Sequence, residues 1–582
     1  MLKFRSIKWI IAVLLNVLLI SCSKTGSIKI IETTDLHGMI LPFDFIENES
    51  SDASLANVSS YIQTIRNNQE QVVLLDDGDN LQGQPVVYYY NFIDTVSDHI
   101  LAGVFNYLKC DAVTAGNHDF EAGHPVYDRI KQQYDFPLLA ANAVDVRTGE
   151  PYFKPYTIVN KGKFKIAVFG LVTPSIPEWL PPRLYSGIKF EGMVETARKW
   201  MPEILKQKPD LVVGLFHSGF NREEFESRKE QFLKEDGSAA VAYNVPGFDI
   251  ILNGHDHKLA NEKIVNADGD TVLMMNAGSR CRNIAEANVV FSKGHKKVIS
   301  GKLIEVSDLE PDKEYISHFE KQSNTVHEYV DKVIGNSEST LSSRSSYFGP
   351  SAFISMVHKV QLEISGADVS FTAPLSFDVR IEEGPIKVSD MFKLYRYENM
   401  LYTMSLTGSE IKKYLEYSYG GWMNTMKGPA GNLLKFRTGK DGKPVVRDGK
   451  AWLDNQPYNF DSAEGIDYVV DVSKPEGERI TISGLTGGKP FEMNTMYKVA
   501  VNSYRGSGGG GHLTEGVGLS QNDLAKRLIT STDKDLRFYI LKYIESQGNI
   551  KPQSPKNWKI VPETWAKAAA QRDYALLFGE DK

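Results

Sequence analysis

Five times between residues 28 and 257, a short apolar run breaks off into a cluster of Asp, Asn, Gly and His. Residues 28–33 lead to Asp35-Leu36-His37, and residues 72–75 to Asp76-Asp77-Gly78-Asp79-Asn80. Residues 112–114 lead to Gly116-Asn117-His118-Asp119, residues 211–216 to His217, and residues 250–252 to Asn253-Gly254-His255-Asp256-His257. Apolar runs of this length, bounded by turn residues, read as buried strands. Further runs at 166–171 and 272–276 read the same way, and helical periodicity falls between them at 55–67 and 194–206. Alternating strands and helices predict an α/β, layered architecture. In such sheets functional groups collect at the carboxyl ends of the strands. Packing alone does not require five strands to end in the same polar chemistry.

The chain has 582 residues, too many for one core. The alternating pattern fades near residue 307. A charged stretch at 308–334 predicts a helical connector, and a second domain of mixed helix and strand character is expected over 335–565. The first residues differ from the rest. Lys3, Arg5 and Lys8 precede an apolar stretch at 10–20 that is too short to span a bilayer comfortably, as in a secretory signal. It ends in Leu19-Ile20-Ser21-Cys22, which resembles a bacterial lipobox. A leader over 1–21 and a lipidated Cys22 are therefore expected, placing the protein outside the cytoplasm on a membrane it does not cross, periplasmic or at the cell surface. Removing the leader takes the formal charge from −7 to −10, which argues against a protein that coats nucleic acid. Cys110 and Cys281 are the only other cysteines and do not make a disulfide framework.

Asp35, Asp79, Asn117 and several histidines offer oxygen and nitrogen donors with no thiolate among them. That set suits Zn, Mn, Fe, Co or Mg. The donors are too many for one ion, so two divalent ions are expected, about 3.5–4 Å apart and sharing a carboxylate. Such a pair suits in-line phosphoryl displacement.

The order Asp35-X-His37, Gly78-Asp79, Gly116-Asn117-His118-Asp119, His217, Gly254-His255-X-His257 resembles the calcineurin-like metallophosphoesterase superfamily. The resemblance implies a four-layer α/β/β/α domain over 27–307. It places Asp35, His37, Asp79 and His257 on one ion, and Asp79, Asn117, His217 and His255 on the other. His118 is implied as a catalytic acid rather than a ligand. In the 5′-nucleotidase branch the motif runs Asn-His-Glu-Phe-Asp. Here the acids are exchanged in Asn117-His118-Asp119-Phe120-Glu121, so Glu121 takes the role of the partner of His118, with Asp119 as the competing acid. Asp76 and Asp77 read as supporting or surface carboxylates.

The second half resembles the carboxyl-terminal domain of secreted 5′-nucleotidases, an α+β substrate-binding domain. The matching stretches are Tyr395-Arg396-Tyr397-Glu398-Asn399, Leu406-Thr407-Gly408 and Asn502-Ser503-Tyr504-Arg505-Gly506. By that resemblance Tyr397 and Tyr504 sandwich the base, and Asn399 bonds the base or sugar. Where 5′-nucleotidases carry Gly-Gly-Ile-Arg, this chain has Ala373 to Arg380. With Ser345 to Phe348 and Asn459 to Tyr468, it looks more like the 2′,3′-cyclic-nucleotide 2′-phosphodiesterase/3′-nucleotidases. Arg380 is then the candidate near the phosphate, and Gly465 the point where a loop approaches the nucleoside. The Gly508–Gly511 run lacks a Gly-Lys-Ser/Thr ending and reads as a wall of the base pocket, not a P-loop. A nucleotide phosphohydrolase serving salvage is expected. A 5′-nucleotidase, a thiohydrolase on the same scaffold and a non-enzymatic nucleotide-binding lipoprotein are the alternatives.

Overall fold

The computed structural model describes residues 24–220, 235–447 and 449–579. The expected leader and Cys22 lie outside the described residues. The N-terminal half contains two six-stranded sheets. Its strands are β1 (Gly26–Thr33), β2 (Gln71–Asp76), β3 (Ala112–Thr114), β4 (Leu138–Leu139), β5 (Tyr156–Lys161), β6 (Phe164–Val172), β7 (Leu211–His217), β8 (Ile250–Asn253), β9 (Leu259–Val265), β10 (Thr271–Ala277), β11 (Asn283–Phe291) and β12 (Val298–Glu305). The first sheet runs β12-β11-β1-β2-β3-β4 and the second β9-β10-β8-β7-β6-β5. Strands β1 to β4 run parallel to one another, as do β6, β7, β8 and β10, while β11, β12, β5 and β9 pair antiparallel.

Side-chain alternation builds the layers. Ile28 and Ile30 of β1 point into a core shared with Ile166 and Val168 of β6 and Val213 and Leu215 of β7, so the two sheets face each other. Ile31 of β1 points the other way, toward Leu55, Ile62 and Ile65 of helix α1 (Leu55–Asn67) and Val104 and Leu108 of helix α2 (Ile100–Leu108). On the far side Ala167 and Phe169 of β6 meet Val194, Ala197 and Met201 of helix α3 (Met193–Lys206). The result is the α/β/β/α stack. The parallel order β1-β2-β3 in one sheet and β6-β7-β8 in the other brings all five polar strand ends to one edge of that stack. Cys110 and Cys281 are buried free thiols.

Helices α4 (Lys313–His318) and α5 (Glu320–Val330) connect the halves. The second half is built on a mixed sheet of β13 (Val369–Thr372), β14 (Met400–Thr407), β15 (Ser462–Glu464), β16 (Met496–Asn502) and β17 (Leu528–Asp535), ordered β15-β13-β16-β14-β17. The Leu406-Thr407-Gly408 stretch turns β14 into helix α6 (Gly408–Trp422). Thr407 Oγ1 accepts from Glu410 N at 3.2 Å while Glu410 Oε2 accepts from Thr407 N at 2.7 Å, a capping box that satisfies two otherwise orphaned donors. The last helix, α7 (Glu563–Phe578), carries the domain past residue 565, where the sequence pattern closes it; Leu577 and Phe578 are buried, with Phe578 against Tyr347 and Phe377. The charged, small-residue surface of α7 hides these two apolar anchors from a periodicity argument.

The halves touch across the polar edge. Tyr88 Oη donates to Asp535 at 3.1 Å, Arg183 donates to the Thr532 carbonyl at 2.7 Å, and Lys393 pairs with Glu47 at 3.1 Å.

Candidate active site

The backbone is unusual where the clusters sit. Among described non-glycine residues, eleven have positive φ. Five of them are Asp35 (48°), His37 (47°), Asp79 (58°), His255 (74°) and His257 (56°). A left-handed backbone at a non-glycine residue is uncommon, costs on the order of 1–3 kcal/mol, and gathers at sites where side-chain aim matters more than stability. Each residue follows a strand that ends in the rigid sheet edge, so the strain falls on loops anchored from below. Close packing of the loops is equally demanding. A Cβ on Gly116 would lie 2.1 Å from Asp79 Oδ1, so only glycine lets the 116–121 loop approach that carboxylate.

Two donor groups result. Asp35, His37 and His257 form one, and Asp79, His217 and His255 the other; within each group the donor atoms lie within 4.8 Å of one another. Hydrogen bonds fix which nitrogen each ring presents. His37 Nδ1 donates to the Gln82 carbonyl at 3.1 Å, leaving Nε2 to face His257 Nε2 at 3.1 Å. Burial, and then the neighbouring His257, lower the His37 pKa to about 3, so this ring is neutral and its Nε2 carries a lone pair. His217 Nδ1 bonds the Asp77 carbonyl, and its Nε2 lies 3.1 Å from Asp79 Oδ2 and 3.2 Å from Asn117 Oδ1. His255 turns Nδ1 toward Asn117 Oδ1 at 2.8 Å and Nε2 toward Glu235 at 3.2 Å. The indole of Trp179 stacks on His255 at 5.5 Å.

The donor chemistry fits divalent cations. Imidazole nitrogens and carboxylate oxygens converge, and no thiolate competes. Negative charge is also concentrated beneath the groups. Glu32 and Asp77 are fully buried with no hydrogen-bond partner for either carboxylate oxygen. Burial, then repulsion from nearby carboxylates including Asp35, pushes both pKa values up, and cations at the adjoining groups would favour the ionised forms.

His118 stands outside both groups. Its Nδ1 lies 2.7 Å from Glu121 Oε2, which leaves Nε2 facing the cleft. Burial would depress its pKa, but Asp79 and Glu121 outweigh burial and raise it to about 10. Asp119, the competing acid, is committed elsewhere. Its carboxylate accepts from the N–H groups of Asp79, Asn80, Leu81 and Gly116 at 2.8–3.0 Å, binding the 77–81 and 116–121 loops together. Asp76 does similar work, accepting from Thr33, Gly78 and Asn80.

The strand ends open into a cleft of about 620 Å³ whose other wall is the second half of the chain. Tyr397, Asn399 and Tyr504 line it together with His37, Asn117, His118, His255 and His257. Tyr397 meets Tyr458 edge to face at 6.3 Å, and a Cβ on Gly509 would lie 2.5 Å from the Tyr504 ring, so the glycine run gives that ring its seat. Two sequence candidates lie elsewhere. Arg380 is an exposed side chain of a short strand pair, bonded to Glu382 at 3.1 Å, and does not line the cleft. The segment before it is buried from Ala373 to Ser376, and Leu375 lines the cleft, but by Arg380 the chain has reached the surface. Gly465 (φ 94°) is also outside the cleft; a Cβ there would lie 2.1 Å from the Asp368 carbonyl, so its demand is close packing of backbone and not contact with a nucleoside. Conversely, Trp179, Arg280 and Tyr458 line the cleft and lie outside every motif, and Arg396 lines it from within the Tyr395 to Asn399 stretch, where the sequence assigned it no role.

Comparison with known proteins agrees with this architecture. Residues 28–259 match the calcineurin-like phosphoesterase family and residues 333–515 match the 5′-nucleotidase C-terminal domain. The chain joins a calcineurin-like phosphoesterase domain to a 5′-nucleotidase C-terminal domain. It is a phosphoric ester hydrolase of the 5′-nucleotidase and cyclic phosphodiesterase group. A Bacillus subtilis protein named as a trifunctional nucleotide phosphoesterase is 27% identical over 92% of this chain, which spans 39% of that longer protein. A Haemophilus influenzae protein named as a 2′,3′-cyclic-nucleotide 2′-phosphodiesterase/3′-nucleotidase is 27% identical over 92% of this chain and 88% of its own length. A solved structure of a provisionally named 5′-nucleotidase from Staphylococcus aureus superposes with a TM-score of 0.75 at 20% identity, covering 92% of this chain and 100% of that one, and shows the shared fold. Calcineurin-like phosphoesterases use divalent metals, in keeping with the donor groups of this phosphoesterase.

Proposed function

We propose that this phosphoesterase is an exported, lipid-anchored nucleotide hydrolase with two divalent ions, acting on 2′,3′-cyclic nucleotides and 3′-nucleotides and releasing nucleosides for salvage. One observation carries the nucleotide reading: Tyr397 and Tyr504, about a hundred residues apart in sequence, line the same cleft as both donor groups and His118. Two half-buried aromatic faces beside a phosphate-directed site suit a base, whose stacking is tolerant of sequence. The preference for the 3′ side is supported by the absence of the Gly-Gly-Ile-Arg stretch and by the names of relatives at 26–27% identity over 92% of the chain, against 24% over 84% for a protein named 5′-nucleotidase. Export and anchoring rest on the sequence from Lys3 to Cys22.

In this reading Asp35, His37 and His257 would hold one ion and His217, His255 and Asn117 the other, with Asp79 available to both. Bound there, the ions would supply Lewis-acid activation of water and neutralise phosphoryl charge. The remaining work belongs to the chain. His118, kept protonated beside Glu121, gives its Nε2 proton to the leaving sugar oxygen. Tyr397 and Tyr504 hold the base, and Asn399 fixes its orientation or that of the sugar.

Phosphate release from 2′,3′-cyclic AMP, 3′-AMP and 5′-AMP, with Mn, Zn, Co and Mg supplied in turn, tests the substrate assignment. Higher kcat/KM on the first two is expected; faster turnover of 5′-AMP would make the protein a 5′-nucleotidase. The aromatic pair gives an independent check. Tyr397→Ala and Tyr504→Ala are each expected to cost about 1–3 kcal/mol of base binding, read as a raised KM for nucleotides. Hydrolysis of bis-(p-nitrophenyl) phosphate, which has no base, should be far less affected. Equal losses on both substrates would mean that the rings support the fold instead.

A further inference from the structure

The cleft is uneven in charge. Its wall near His255 carries Glu235, whereas the wall near His37 and His257 carries Arg280 and Arg396. Both arginines are fixed to that side by their backbones. Arg280 N donates to the Asp35 carbonyl at 2.8 Å. The Arg396 carbonyl accepts from Gln82 Nε2 at 3.4 Å, and the Gln82 carbonyl in turn holds His37.

Two cations around this wall are matched with acids. Arg280 pairs with Asp44 at 3.0 Å and Lys393 with Glu47 at 3.1 Å. The Arg396 guanidinium is exposed to the cleft and has no hydrogen-bond or ion-pair partner among the described residues. It is close enough to Arg280 that, after burial, its charge adds to the lowering of the Arg280 pKa. Two guanidiniums facing one cavity repel each other, and an anion between them would relieve the repulsion while meeting planar donors suited to phosphate. The scissile phosphate is already provided for by the donor groups and His118, so these arginines call for a different anion on the same substrate. Next to Tyr397, which faces the base, that anion is within reach of the sugar.

We propose that Arg396, with Arg280 beside it, forms a subsite for a second, non-scissile phosphate, and that nucleoside 3′,5′-bisphosphates are favoured over monophosphates. This rests on the nucleotide reading above and extends it. In the step itself a water oxygen bonds the 3′-phosphorus, the bond from phosphorus to the 3′-oxygen breaks, and His118 supplies the proton that makes the sugar hydroxyl. The products are a nucleoside 5′-phosphate and inorganic phosphate.

The test uses the metal-loaded full-length protein and compares kcat/KM for adenosine 3′,5′-bisphosphate with that for 3′-AMP. Wild type should favour the bisphosphate. Arg396→Gln should reduce the ratio of the two by about tenfold or more, the scale of a charge-assisted contact, and Arg396→Lys should restore part of it. A wild-type enzyme without preference, or a ratio unchanged in Arg396→Gln, would overturn the subsite. The exposed side chain makes no intramolecular bond among the described residues, so folding is not at stake. Product identity separates this result from the substrate assignment. Release of 5′-AMP supports cleavage at the 3′ side. Release of 3′-AMP would refute the 3′-nucleotidase reading, while the ratio, taken against 5′-AMP, would still decide whether Arg396 binds the other phosphate.

Discussion

Asp79→Asn is expected to abolish nearly all phosphate release and to lower the content of both metal ions. Changing a group that only orients a ligand costs about 10–100-fold in affinity or activity, and that range is the floor for losing a shared ligand. The substitution is well suited to isolate charge. Asp79 has a φ of 58°, and asparagine is among the few residues that accept a left-handed backbone at little cost. The Asn side-chain oxygen can still accept from His118 N, as Asp79 Oδ1 does at 2.8 Å, so the loop bond survives. What disappears is the buried carboxylate that lies 3.1 Å from His217 and whose pKa, despite burial, the histidines His217 and His118 hold well below the ordinary value. Elemental analysis of the purified variant reads the outcome. Two ions per chain at full activity would remove Asp79 from the bridging position. Loss of one ion alone would make it a ligand to a single site.

The parts of this fold that were legible in the sequence are those where one physical cause acts locally. The inner strands are apolar on both faces because helices cover one side and a second sheet the other, so β1, β2, β3, β6, β7, β8 and β10 appear as continuous apolar runs. The edge strands β9 and β12 alternate between exposed and half-buried positions and look like loops from their composition. The same contrast holds at the site. Asp35, His37, Asp79, Asn117, His217, His255 and His257 each lie at or just past the end of a strand that announces that end. Tyr458, Trp179 and Arg396 join the cleft only because three distant segments meet there, and no local spacing encodes that meeting. Arg380 failed for the converse reason: a plausible local setting said nothing about which edge of the domain it would occupy.

The left-handed ligands and the buried acids describe one compromise. Glu32, Asp76, Asp77, Asp79 and Asp119 are buried within a few loops, where carboxylates are costly unless bonded or paired. Asp119 is satisfied by backbone N–H groups, and Asp76 by the Gly78 N–H and the side chains of Thr33 and Asn80, and both thereby fasten the loops. Glu32 and Asp77 are not satisfied. A centre of this kind gives up stability so that positive charge is favoured at one place, which is the arrangement expected of preorganised electrostatic catalysis.

His118→Asn should leave both ions in place while kcat on 3′-AMP falls by about 10²–10⁴-fold, the usual contribution of a positioned general acid. The geometry separates this from the Asp79 result. His118 belongs to neither donor group, its Nδ1 is taken by Glu121, and only Nε2 faces the cleft. Loss of a metal ion in the variant would show that the ring is a ligand after all. The pH profile sharpens the test. Activity that needs protonated His118 falls as pH rises through its pKa, which the Asp79 and Glu121 carboxylates raise against burial. Bound cations oppose the Asp79 contribution, so in the loaded enzyme Glu121 is the main group holding the proton on the ring. Glu121→Gln removes that charge yet keeps an acceptor oxygen within reach of Nδ1. The descending limb of kcat against pH should therefore move to lower pH, with the plateau at acidic pH less affected than the activity at neutral pH. An unshifted limb would leave Glu121 as a mere orienting contact. Asp119 could not inherit the role, because four backbone N–H groups already hold its carboxylate away from the ring.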